Sequence, residues 1–160
     1  MEPQPRLADA PTAHVETRFG TFTVDAKDLV SFPEGLPGFE QCRRFMVLAS
    51  DAIAPLQCLH AVDGPPASFL AIDPRLVLPR YRRQLATHDV ARLGAQHDTA
   101  LLWLALVTVD EQGHAYANLR APVVINPERM IGFQVMPLNT LYPLRHSLTA
   151  LPDGPISKEG

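Results

Sequence analysis

Ala100-Leu101-Leu102-Trp103-Leu104-Ala105-Leu106-Val107-Thr108-Val109 decides the fold class of this chain. Both alternate sets of side chains in the run are apolar, so a strand here is covered on both faces. Asp110-Glu111-Gln112-Gly113 turns the chain, and the stretch that follows alternates. Ala117, Leu119, Ala121, Val123 and Ile125 share one face of an extended segment, while Tyr116, Asn118, Arg120, Pro122, Val124 and Asn126 share the other. Pro122 has no N–H to give a ladder, which puts this segment at a sheet edge or a bulge. The Asn126-Pro127 pair ends it.

Short apolar runs extend the pattern in both directions. Residues 14–24 read as strand, turn and strand around Gly20, with Val15, Phe19, Phe22 and Val24 as anchors. Residues 29–32, 45–48, 56–61 and 68–72 are further strands, separated by Pro55, Asp63-Gly64-Pro65-Pro66 and Pro74. Ile131, Phe133 and Val135 alternate once more. One short helix is expected between a capping Thr87 and a C-terminal Gly94. The spacing predicts a mainly β chain, an antiparallel barrel or sandwich, in one domain over residues 14–150. Residues 1–13 and 151–160 lack a core pattern and read as flexible tails.

The 160 residues include 16 prolines, about double the usual ~5%, and their scatter argues against a helical bundle. No apolar run approaches the ~20 residues of a membrane-crossing helix, and the opening segment has no export-signal core. A reducing cytoplasm is the expected compartment, with Cys42 and Cys58 as unpaired thiols. Net charge is −3, unevenly spread: residues 1–72 hold five basic and nine acidic side chains, residues 73–93 five and two, and residues 94–160 four and six. An acidic body is a poor nucleic-acid binder and a fitting partner for a basic protein.

Few residues point to chemistry. The six histidines show no metal-ligand spacing, and neither cysteine belongs to a Cys-x-x-Cys pair. Neither a nucleotide-binding glycine loop nor a nucleophile elbow is present. No catalytic residue, cofactor or metal is expected. His88-Asp89 could orient an imidazole, though Asp at a helix start also serves the dipole. Arg75, Arg80, Arg82 and Arg83, with Tyr81 among them, could grip RNA or an acidic peptide, or form a solvated face. A small-molecule or hydrolytic barrel with a site near His88, Asp89 and Arg80–Arg83 is the alternative class of function.

The other distinctive stretch is Phe32-Pro33-Glu34-Gly35-Leu36-Pro37-Gly38-Phe39-Glu40. Its prolines and glycines fix a tight irregular backbone, yet Phe32, Leu36 and Phe39 are too apolar for an ordinary loop. It is either a core corner or a shaped contact surface.

Four segments, in order, resemble the FliW family of flagellar assembly factors. They are Thr17-Arg18-Phe19-Gly20; the Phe32–Glu40 bend followed by Arg44-Phe45; Asn118-Leu119-Arg120-Ala121-Pro122-Val123-Val124-Ile125-Asn126; and Tyr142-Pro143-Leu144-Arg145-His146. The likeness runs from about Val15 to Leu148. It implies a cytoplasmic, non-enzymatic β pseudo-barrel that binds the translational repressor CsrA, relieves repression of flagellin mRNA, and also binds flagellin in a partner-exchange switch. The candidate contact residues are Asn118, Arg120, Pro122 and Asn126, on a segment able to recruit a partner by strand addition, together with Leu36 and Phe39. The chain departs from the family's acidic character at residues 73–93, where its charge is +3.

Overall fold

The computed structural model describes residues 12–25, 28–96, 98–137 and 141–148. The rest of the expected N-terminal tail, the whole of the expected C-terminal tail, and His97 lie outside the described residues. A hairpin of β1 (Thr12–Thr17) and β2 (Gly20–Asp25) forms a two-stranded sheet of its own. The main sheet contains β3 (Leu29–Ser31), β4 (Arg44–Leu48), β5 (Gln57–Ala61), β6 (Ser68–Ile72), β7 (Leu102–Val109), β8 (Ala115–Ala117), β9 (Val123–Asn126), β10 (Ile131–Gln134) and β11 (His146–Ser147). Seven of these close on themselves in the order β7-β6-β5-β4-β3-β10-β9, because β9 pairs with β7 as well as with β10. The closing pair of β3 and β10 is parallel, Ile131 opposite Ser31, while the other neighbours run antiparallel. β8 and β11 extend from the free half of β7.

Each face of this wall carries its own apolar core, as period-two alternation requires. Leu48, Cys58, Leu70 and Val107, opposite one another in register, belong to the first cluster. Phe22 and Val24 of β2 cover that face together with Tyr81, Leu93 and Leu119. Phe45, Leu59, Ala61, Ala71, Leu104, Val123 and Ile125 form the second cluster, which Phe32, Leu36 and Cys42 complete. The expectation that β7 is covered on both faces holds: Trp103 and Ala105 point into one cluster and Leu104 into the other.

Four local expectations are corrected. The described residues form two short helices, not one: α1 (Pro74–Val77) and α2 (Thr87–Arg92). Pro74, read as a separator, instead occupies the first turn of α1, where its missing N–H costs nothing, and Asp73 caps the turn by accepting from Arg75 N. Ala86, not Thr87, is the N-cap of α2, without a side-chain cap bond. At six residues α2 is too short to persist alone, and fully buried Leu93 holds it down, worth about 1.5–3 kcal/mol. Finally, the expected strand over 116–126 is broken into β8 and β9, and neither β9 nor Pro122 lies at an edge. All four β9 residues are buried within the closed wall, and the Pro122 carbonyl accepts from Val135 N at 2.9 Å. Strand addition at Pro122 is therefore closed off, since the ladder positions there are already filled.

Candidate partner-binding surface

The Phe32–Glu40 bend is a core corner that presents one ring outward. Phe32 is fully buried and Leu36 is 2% exposed, whereas Phe39 is 36% exposed. Gly35 makes the turn possible: its N donates to Phe32 O at 2.9 Å with φ at +64°. A Cβ at Gly35 would stand 2.7 Å from Glu40 Cα and Phe39 O, so the position admits only glycine. Phe39 N then donates to Leu36 O at 2.7 Å, and the Phe39 ring meets Phe69 edge-on at 5.1 Å.

The break between β8 and β9 has a local cause. Asn118 Oδ1 accepts from the N–H of both Arg120 and Ala121, each at 3.0 Å, and turns the backbone out of the strand. Arg120 Nε donates to Tyr142 O at 2.9 Å, which ties the turn to residues 141–145. Asn126 is 1% exposed: its Nδ2 donates to Leu93 O and its Oδ1 accepts from Glu128 N. Of the residues singled out from the sequence, Phe39, Asn118 and Arg120 reach the surface. Leu36, Pro122 and Asn126 are buried and can shape that surface only from behind.

The fold brings the bend and the Asn118 turn to one place. Between them lies a cleft of about 640 Å³, lined by Glu34, Pro37 and Glu40 on one side and by Asn118, Gln134 and Met136 on the other. Met136 is 55% exposed, and Gln134 Nε2 donates to Ala121 O at 2.8 Å. Neither residue was a sequence candidate. The alternation over 131–135 marked a strand but not which end of it would face the bend. A second cleft of about 720 Å³ opens between the β1–β2 hairpin and the ends of β6 and β7, with Phe39 and Phe69 in its wall. Phe69 lines both clefts.

His88 and Asp89, weighed above as an orienting pair, belong to a clip that fastens α2. Asp89 is 2% exposed, and its Oδ1 lies 2.6 Å from Arg92 Nη2 and 3.3 Å from His88 Nε2. Arg92 Nη1 reaches Glu34 of the bend at 2.8 Å, and its guanidinium sits 4.2 Å above the Phe133 ring. Burial would lower the Arg92 pKa, but the hydrogen bonds it donates to Asp89 and Glu34 outweigh this, so the group stays charged. Arg92 thus fastens α2 to the barrel wall at Phe133 and links it to Glu34 of the bend.

Among the described residues no group of three or more His, Cys, Asp or Glu side chains is placed to hold a metal ion. Cys42 and Cys58 are buried free thiols whose pKa values burial pushes up, which keeps them protonated and unreactive. No helix among the described residues is long and apolar enough to cross a membrane.

Residues 13–148 match the sequence profile of the family described as FliW protein. The chain belongs to the FliW family. FliW relatives include flagellar assembly factors from Natranaerobius thermophilus, 33% identical over 81% of this chain and 87% of that protein, and from Moorella thermoacetica, 33% identical over 82% and 85%. A crystal structure of the flagellar assembly factor FliW superposes with a TM-score of 0.73 at 29% identity, covering 84% of this chain and 96% of that one. The barrel described above is thus the FliW fold.

Proposed function

We propose that this chain is a flagellar assembly factor that works by partner exchange. It binds the translational repressor CsrA, so relieving repression of flagellin mRNA, and it also binds flagellin, which releases the repressor. The reading is that of a non-enzymatic cytoplasmic regulator. One observation carries it: a FliW barrel whose Phe32–Glu40 bend and Asn118 turn meet across one cleft, with acidic Glu34 and Glu40 at its rim and exposed Met136 opposite. A carboxylate-rimmed apolar contour suits a basic protein surface, because rim charges steer encounter while apolar contacts hold the complex.

Exchange requires that the two complexes destabilise each other, through one shared surface or two coupled ones. Size-exclusion chromatography of the purified protein with CsrA, with flagellin, and with both tests this. Binary complexes without a ternary peak are expected. Failure to bind either partner at micromolar concentration overturns the proposal, and a stable ternary complex overturns the exchange.

A further inference from the structure

The basic segment between β6 and α2 is not a loosely solvated loop. Tyr81 Oη donates to Leu119 O at 2.7 Å, its ring stacks on Tyr142 at 4.5 Å, and Arg82 N donates to Tyr142 Oη at 2.9 Å. These bonds fix the backbone that carries Arg80, Arg82 and Arg83, all three exposed and none paired with a carboxylate among the described residues. Beside Arg83 lies a cleft of about 640 Å³, floored by Leu85, Val90, Leu101 and Trp103. Among the described residues no acidic side chain lines it, and no lining residue is shared with the cleft at the bend.

We infer that this arm and its cleft form a second docking surface, for an acidic amphipathic helix of a partner protein. Leucine-like side chains on one face of such a helix would fill the Leu85–Trp103 floor, and carboxylates flanking that face would meet Arg80, Arg82 and Arg83. Charge complementarity selects the partner. In a chain of net charge −3, residues 73–93 carry five arginines against two aspartates. Nucleic acid fits less well, because single strands are held by stacking bases on free rings. Tyr81 and Trp103 are each only 5% exposed, and Tyr81 already spends its face on Tyr142.

The test is fluorescence anisotropy with three labelled probes: a helical peptide of alternating Leu and Glu faces, oligoglutamate, and single-stranded RNA. The amphipathic peptide should bind saturably, weaken as salt rises, and exceed oligoglutamate by about tenfold or more. The triple variant R80E/R82E/R83E should lose about tenfold, the equivalent of three exposed ion pairs. Should the triple variant melt early, R83E alone at the cleft edge should still weaken the peptide, and Leu85→Ala should weaken it without changing its salt response. Absent or charge-insensitive peptide binding overturns the inference. So does equal affinity for oligoglutamate, which would leave the cleft without a role, or tighter binding of RNA.

Discussion

Removing the Arg92 side chain tests how α2 is fastened to the barrel. In Arg92→Ala the carboxylate of Asp89, 2% exposed, loses its 2.6 Å partner and keeps only His88 at 3.3 Å, whose side chain is 75% exposed. Stripping one partner from a buried pair costs about 3–5 kcal/mol, and the 28% exposure of Arg92 places this case at the lower end. Loss of the cation–π contact with Phe133 adds about 0.5–1 kcal/mol. Glu34, with its side chain 64% exposed, adds little, as surface pairs are worth about 0–1 kcal/mol. Urea unfolding should therefore show a loss of about 3–4 kcal/mol for Arg92→Ala. Glu34→Gln should lose less than about 1 kcal/mol. In the double variant Arg92→Ala/Asp89→Asn, much of the loss should return, because the orphaned charge is gone. A loss below about 1 kcal/mol for Arg92→Ala, or additive losses in the double variant, would refute the clip.

Tyr81 is pushed up to about 12, by burial and then by neighbouring Tyr142, so its folded-state pKa lies above the ordinary value near 10. The stabilisation from its neutral hydroxyl is complete below pH ~10 and should fade as pH rises towards ~12. Tyr81→Phe should cost about 1–2 kcal/mol at neutral pH, by orphaning Leu119 O, and should flatten that alkaline limb in thermal melts. Asp63 behaves in the opposite sense. Burial raises its pKa, but N–H donors from Arg44 and Arg43 and the Arg44 side chain more than offset this, so the net shift is downward. Its stabilisation should be present above the ordinary aspartate range and vanish as pH falls through the lowered value; Asp63→Asn should lose that acid limb in denaturation curves. Gly35→Ala forces a Cβ to 2.7 Å from backbone at φ +64°, and should destabilise by about 2 kcal/mol or more in chemical unfolding. Phe39→Ala, at 36% exposure, should change stability by only about 1 kcal/mol while weakening capture of CsrA or flagellin in pull-downs; unchanged capture of both would remove Phe39 from the surface.

Alternation and turn chemistry are local properties, and they were readable in the chain. The β1–β2 hairpin around Gly20, the doubly covered β7 and the Gly94 stop of α2 all follow from neighbours within a few residues. The bend was legible as a rigid apolar feature for the same reason. Its division into buried Leu36 and exposed Phe39 was not, because that depends on Phe69 and Glu34 meeting side chains distant in sequence.

By itself, then, the sequence determined a β-rich chain of the FliW family, the rigidity of residues 32–40, and a positive segment within an acidic protein. Tertiary structure decided what those pieces face. Pairing of β9 with both β7 and β10 closed the wall and removed the edge that Pro122 suggested. Hydrogen bonding by Asn118 turned the chain at the point where alternation alone predicts a continuous strand. Stacking of Tyr81 on Tyr142 withdrew the one ring in the basic cluster from any ligand and fixed the arginines around it. The physical reason is common to all three: period and propensity act along the chain, whereas ladder closure, side-chain partners and charge placement depend on which remote segments come within bonding distance.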